Sequence, residues 1–281
     1  MQNNVSAERF WSPIRKKHTT KRIAIAILAI AMIITGISCD HVNDGTVAFN
    51  KRDTLVIAHR GLSGLEVENT ASAFTAAGER SYYGIEADVR MTLDGKLIIC
   101  HDDTLKRLSG QEISVNNSTF EELMSIPLYD KNSEIPGDER LTDLHSFISI
   151  CKQYDKQAIL ELKQKFNKEE IAGIIDVIKG NGYIDRVTFI SFDYDNLLYV
   201  RSLLPEQPAM YLFSELDDEI TARLIRDKID VGIRHDSLTR AALSEFHNGG
   251  LKVNCWTVDN KARAEKLARW GVDYITTNIL E

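Results

Sequence analysis

The chain has no disulfide framework. Of its four cysteines in 281 residues, Cys39 closes an N-terminal apolar run. The other three, Cys100, Cys151 and Cys255, are an odd number at spacings that suit no zinc site. Cys100 and Cys255 lie inside apolar runs and are expected to be buried thiols. The body also lacks any basic surplus. Net charge is −7 overall, but residues 1–38 carry six Lys/Arg against one acid, which leaves 28 basic and 40 acidic residues, about −12, for the rest. A body of that sign argues against nonspecific nucleic-acid binding, so no nucleic acid is expected as a partner. The apolar run from Ile23 to Ser38 is sixteen residues, short of the ~20 that a transmembrane helix needs. No internal repeat or low-complexity tract is present.

What the N-terminus does hold is ordered. Lys16, Lys17, Lys21 and Arg22 precede the apolar run, which closes on Gly36-Ile37-Ser38-Cys39. A positive segment, an apolar segment and small residues at the end make an export signal. The small residues before a cysteine resemble a bacterial lipoprotein signal, in which Cys39 would be lipidated and become the mature N-terminus. The expected organisation is a leader over 1–38, a polar tether over 39–53 and a folded domain over 54–281. The chain is then exported and held at a membrane by its N-terminal segment or lipid, on the periplasmic or cell-surface side. Simple secretion and an uncleaved anchor are the alternatives.

From Thr54 onward, strand-like and helix-like segments alternate. Strands are predicted at Leu55–Ala58, Ile85–Val89, Ala158–Leu162, Val187–Ser191, Ala209–Phe213, Ile229–Ile233, Leu251–Thr257 and Asp273–Thr276. Helices are predicted between them, at Thr70–Ser81, Thr142–Tyr154, Lys168–Lys179, Tyr194–Leu203, Asp217–Asp227, Thr239–Asn248 and Asn260–Trp270. Eight such units predict an α/β fold, a (β/α)8 TIM-type barrel. A ninth apolar run, Leu97–His101, follows the turn Leu93-Asp94-Gly95-Lys96 and reads as a hairpin extension of the second strand. Residues 103–141 then form an insertion after that strand, with a short helix near Thr119–Met124. A loop that long is usually functional.

In such barrels the reactive groups sit at the C-terminal ends of the strands. His59 follows the first strand, Glu86 and Asp88 end the second, and His101 ends the hairpin. Glu161 and Lys163 end the third, Ser191 the fourth and Trp256 the seventh. Glu86 and Asp88 are two apart on a strand and share a face. Two inward carboxylates repel unless a cation lies between them, and oxygen-only ligands suit Mg²⁺ or Ca²⁺. Glu161 could supply a third carboxylate, and Lys163 on its face could neutralise phosphate oxygens. The bland alternative is a set of strand-end ion pairs. His59 and His101 can move protons near neutral pH. Asp102 or Asp103 could orient an imidazole. Arg60-Gly61 offers a bidentate fork beside a closely approachable backbone. In Glu68-Asn69-Thr70, Asn69 is expected to cap a helix, and Glu68 to lie near the positive helix end or behind the metal. Trp256 could pack on an apolar part of a small substrate.

Together these runs resemble the glycerophosphodiester phosphodiesterase family: His59-Arg60-Gly61, Glu68-Asn69-Thr70, Glu86-Ala87-Asp88, Thr92-Leu93-Asp94-Gly95, His101-Asp102, Glu161-Leu162-Lys163 and Trp256-Thr257-Val258. The resemblance covers about residues 54–277. It departs at Val67, where the family usually has Pro, and at Thr276-Thr277-Asn278, which lacks a Thr-Asp dipeptide common there. It implies a TIM-type barrel with a small insertion after the second strand and metal-dependent hydrolysis of glycerophosphodiesters to sn-glycerol 3-phosphate and an alcohol. His59 and His101 would be the acid–base pair. Glu86, Asp88 and Glu161 would bind Ca²⁺ or Mg²⁺. Arg60 and Lys163 would hold the phosphate and Trp256 would flank the glycerol, with Glu68 and Asp102 in support. The alternatives are the same fold acting on lysophospholipid or glycerophosphoinositol, or a non-catalytic membrane-tethered binding module. An apolar, open insertion would favour the lipid, and a closed polar one a deacylated headgroup.

Overall fold

The computed structural model describes residues 45–281. The expected leader, Cys39 and the first part of the tether lie outside the described residues. The elements run β1 (Leu55–Ala58), α1 (Ala71–Gly78), β2 (Gly84–Met91), β3 (Leu97–Ile99), α2 (Lys106–Ser109), α3 (Phe120–Ser125), β4 (Thr142–Asp143) and α4 (Leu144–Gln153). They continue β5 (Gln157–Leu162), α5 (Lys168–Gly180), β6 (Val187–Ser191), α6 (Tyr194–Leu203), β7 (Ala209–Phe213) and α7 (Asp218–Asp227). The chain closes with β8 (Asp230–Arg234), α8 (Arg240–Asn248), β9 (Val253–Trp256), α9 (Lys261–Trp270) and β10 (Tyr274–Thr277).

Eight of these strands are parallel neighbours, and β1 pairs with both β10 and β2, which closes the barrel. Both faces of each strand are covered, by helices outside and side chains inside, so the strands read as apolar runs rather than alternating ones. All six residues of β5 are buried. Ile57, Ile159, Ile190, Met210, Leu212 and Tyr274 fill the interior. The larger core lies between sheet and helices, with Phe74, Phe147, Phe189 and Phe246 fully buried. The barrel helices start on side chains that accept a backbone N–H: Thr70, Asp143, Asn167, Asp193, Asp217, Thr239 and Asn260.

The hairpin forms as expected, with β3 antiparallel to β2 and Val89 opposite Ile99. Two elements depart from the prediction, the unpredicted short helix α2 and the strand β4. Thr142 and Asp143 do not open a helix but make a two-residue strand, β4, against β3. Asp143 then caps α4 through Ser146 N at 2.7 Å. Two residues carry no periodicity, so this strand has no sequence signal. The insertion has its own small core, in which Leu105, Leu108, Val115, Leu123 and Leu128 pack on Ile98 and Cys100. Its helix α3 begins with a reciprocal cap between Thr119 and Glu122.

The described part of the expected tether is docked rather than free. Val47 bridges Leu280 in parallel, with Val47 N to Ile279 O at 3.0 Å and Glu281 N to Val47 O at 3.1 Å. Phe49 packs on the core. Cys100, Cys151 and Cys255 are buried free thiols.

Candidate active site

Register explains how the acids meet. Asp88 on β2 lies opposite Glu161 on β5, and Glu86 sits one pleat earlier on the same face. Ligand oxygens of the three carboxylates all lie within 4.8 Å of one another, and all three residues are buried. Glu86 Oε1 and Asp88 Oδ1 have no hydrogen-bond partner. Buried, unpaired carboxylate oxygens are costly unless something positive fills the space between them. Burial first, then repulsion from Asp88 and Glu161, pushes the Glu86 carboxyl well up. Burial and Asp88 likewise push Glu161 up. Burial opposes ionisation of Asp88 too, but Arg60 and Lys163 outweigh it and hold that carboxyl down. The donor set is oxygen only, which fits a hard divalent cation.

Cations frame the acids. Arg60 has φ +54°, and its backbone N–H donates to Glu86 Oε2 at 2.7 Å. Its guanidinium donates to Glu68 Oε1 at 2.8 Å and lies 3.5 Å from Asp88 Oδ2. Lys163 Nζ is 2.8 Å from Glu161 Oε1 and 3.7 Å from Asp88 Oδ1. Gly61 permits this turn: its φ is +75°, and a Cβ there would stand 2.6 Å from the Ala73 carbonyl carbon.

The two histidines are oriented through Nδ1. His59 Nδ1 lies 2.8 Å from Asn278 Oδ1, and His101 Nδ1 lies 2.6 Å from Asp102 Oδ1. Asp102 is thus the partner of His101. Asp103 instead pairs with Arg90 Nη1 at 2.6 Å, and Arg90 also donates to His101 O at 2.7 Å, pinning the turn. Burial, then Arg60, lowers the His59 imidazole to about 4. Burial also lowers His101, against the opposing pull of Asp88 and Asp102.

His59, Arg60, Glu86, His101, Glu161, Lys163 and Trp256 line one cavity of about 140 Å³ at the C-terminal rim of the barrel. Asp88 lies fully buried behind it. Ile190, Leu212 and Phe192 complete the wall. Phe192 meets Trp256 edge to face, with centroids 5.4 Å apart, and Trp256 Nε1 is buried without a partner. A larger groove of about 740 Å³ is lined by the insertion and includes Glu68, Lys106, Arg107, Asp130, Lys131 and Glu134. Lys131 Nζ donates to Ser63 O.

Two expectations change. Asn69 does not cap α1; Thr70 does, accepting from Ala73 N at 3.3 Å. Asn69 has φ +60°, is fully buried, and donates through Nδ2 to Asp88 Oδ2 at 2.8 Å. Ser191, at a strand end, bonds Leu162 O at 2.9 Å and is structural.

Sequence reasoning did not find Phe192, Arg107 or Asp259 as parts of the site, and met Asn278 only as a departure from a motif. Phe192 had a usable signal, since it directly follows a barrel strand. Arg107 had none. It donates to Asp102 Oδ2 through Nε at 2.8 Å and to both Glu68 oxygens at 2.8 Å. It therefore ties the partner of His101 to the partner of Arg60.

Comparison with known proteins points to one family. Residues 59–281 match the model of the glycerophosphoryl diester phosphodiesterase family. A glycerophosphodiester phosphodiesterase of Caldanaerobacter subterraneus subsp. tengcongensis is 30% identical over 230 residues, covering 80% of this chain and 94% of that protein. The structure of an Oleispira antarctica phosphodiesterase in complex with the product sn-glycerol-3-phosphate superposes with TM-score 0.73 at 27% identity, covering 80% and 92% of the two chains. A glycerophosphodiester phosphodiesterase structure from Parabacteroides distasonis gives TM-score 0.68 at 26% identity over 80% and 93%.

Proposed function

The chain belongs to the glycerophosphoryl diester phosphodiesterase family, and from that premise we propose that it hydrolyses glycerophosphodiesters to sn-glycerol 3-phosphate and an alcohol. The observation that carries the reading is one small cavity that joins a buried three-carboxylate cluster, two oriented histidines and two cationic side chains.

Glu86, Asp88 and Glu161 would hold a divalent cation, Ca²⁺ or Mg²⁺, which would supply positive charge for the phosphoryl oxygens. Arg60 and Lys163 add fixed positive charge on the same wall, where charge builds up as the phosphorus is attacked. Each histidine spends Nδ1 on a neighbouring acceptor, which leaves Nε2 for the substrate. One imidazole takes the proton of the attacking oxygen and the other protonates the departing alcohol; attack by water gives sn-glycerol 3-phosphate directly, and attack by the glycerol 2-hydroxyl gives a cyclic phosphate that water then opens. Trp256 and Phe192 offer an apolar wall to the glycerol carbons, and Trp256 Nε1 has a free N–H to give to a glycerol hydroxyl.

The groove beside this cavity carries Lys106, Arg107, Lys131 and Glu134, a charged lining that favours a deacylated headgroup over an acyl chain. The test is turnover of glycerophosphocholine against lysophosphatidylcholine, with the phosphomonoester measured directly, sn-glycerol 3-phosphate from the first and lysophosphatidate from the second. Glycerophosphocholine is expected to have the higher kcat/KM by about 10-fold or more. A preference for the lysolipid contradicts the headgroup reading, and no phosphomonoester from either contradicts the activity. The leader pattern supports export and a membrane anchor at Cys39. Cys39→Ser should move the protein from the membrane fraction to the soluble one.

A further inference from the structure

We propose that Asn278, clamped by Asp259, is the positioning residue that fixes His59 with its proton on Nδ1 and its lone pair on Nε2. The inference rests on the reading of His59 as a proton-handling group. Three loops meet here: the one after β1, the one after β9 and the one after β10. His59 N donates to Thr277 O at 2.8 Å, which fixes the backbone of the histidine. Asn278 Oδ1 then lies 2.8 Å from His59 Nδ1.

An asparagine amide can face either way, because its oxygen only accepts and its nitrogen only donates. Asp259 decides the matter. Its Oδ2 lies 2.6 Å from Asn278 Nδ2, and its Oδ1 accepts from Asn278 N at 2.8 Å and Thr277 Oγ1 at 3.0 Å. A flipped amide would press its oxygen against a carboxylate oxygen at hydrogen-bond distance. The amide nitrogen therefore faces Asp259 and the amide oxygen faces the histidine. Ser63 Oγ lies 2.7 Å from both Asn278 Oδ1 and His59 O and has one proton to give to either, so the Asp259 contacts alone set the orientation. An acceptor at His59 Nδ1 requires the proton there, so in the neutral ring Nε2 is bare.

The arrangement has a chemical sense. The negative charge stands one residue away, on Asp259, and an uncharged oxygen touches the ring. That oxygen fixes the tautomer without the full attraction to an imidazolium that a carboxylate in contact would exert. Arg60, Asp88 and Glu68 are the other charged groups that face His59.

The test starts with the full-length wild-type protein, loaded with Ca²⁺ at neutral pH, by ¹⁵N NMR of the imidazoles, with His59→Gln identifying the His59 signals. The expected spectrum has Nδ1 protonated and Nε2 bare; Nε2 protonated overturns the inference. Asn278→Leu should lower kcat by about 10–100-fold, with KM changed by less than about threefold. The exchange variant Asp259→Asn/Asn278→Asp restores an acceptor at the ring and should recover most of that loss, which a merely structural role would not do. Full kcat in Asn278→Leu overturns the positioning role. Full kcat in His59→Gln overturns instead the proton-handling reading of His59, while the spectrum independently decides the tautomer. Should Asn278→Leu fail to fold, the wild-type spectrum and the exchange variant still decide.

Discussion

His59 and His101 face the same cavity, yet the protein holds them in opposite ways. His59 meets an uncharged amide, and burial followed by Arg60 lowers its imidazole to about 4. His101 is part exposed, meets the Asp102 carboxylate, and is lowered by burial against the pull of Asp88 and Asp102. A neutral ring with a fixed lone pair suits a proton acceptor. A ring with a carboxylate behind it suits the group that carries a proton, because the carboxylate stabilises the imidazolium once formed. The comparison teaches that two identical side chains on one cavity are differentiated by how deeply each is buried and by what stands behind Nδ1.

The strongest way to break this comparison is to remove each ring. His59→Ala and His101→Ala should each lower kcat on glycerophosphocholine by about 10²–10⁴-fold. Full activity in either variant ends the two-histidine account. A sharper cut falls on the His101 side. Asp102→Ala removes the acceptor behind His101 Nδ1, and should lower kcat by about 10-fold or more, while leaving Nδ1 of His59 protonated and its Nε2 bare. A change in the His59 spectrum would mean the two sides are not independent.

The acid cluster gives a pH test. Glu86 and Glu161 have folded-state values raised above their unfolded ones, with Glu161 at about 7. Between the unfolded value and that one, the cation-free protein holds protons that the unfolded chain has already lost. Its stability from these groups therefore falls as pH rises through that window. A bound cation must displace those protons, so its affinity rises over the same window. The Ca²⁺-induced rise in Tm should be larger at pH 8 than at pH 5.5; equal rises would contradict the raised carboxyls. His59 works in the other sense. Its lowered value means that the unfolded chain binds the extra proton first, so stability is lost as pH falls from 6.5 toward about 4, and His59→Gln should flatten that limb. The smallest expected effect is on the frame. Gly61→Ala sets a Cβ against the Ala73 backbone at a positive φ and should cost about 1–3 kcal/mol in denaturant unfolding.

Much of this was legible in sequence because barrel strands are covered on both faces. Apolar runs therefore marked all eight barrel strands to within two residues at each end, and the polar residues ending those runs marked the rim. Glu86, Asp88 and Glu161 were readable for that reason, although only the β2–β5 register brings Asp88 and Glu161 side by side. What stayed hidden depends on tertiary approach. Asn69 carries a capping residue's chemistry, but the left-handed turn spends it on Asp88. Arg107 lies in an insertion without periodicity, and its value comes from spanning Glu68 and Asp102. The Asp259–Asn278–His59 chain joins residues 219 positions apart, and no spacing rule could announce it.

The central claim is that a cation held by three carboxylates works with these histidines on a glycerophosphodiester. Its most direct test is release of sn-glycerol 3-phosphate from glycerophosphocholine after chelation and after add-back of Ca²⁺ or Mg²⁺, in the wild type and in Glu161→Gln. The account predicts that turnover disappears with chelator, returns with the cation, and returns poorly in Glu161→Gln. Undiminished turnover in chelator, or a fully active Glu161→Gln, would contradict it.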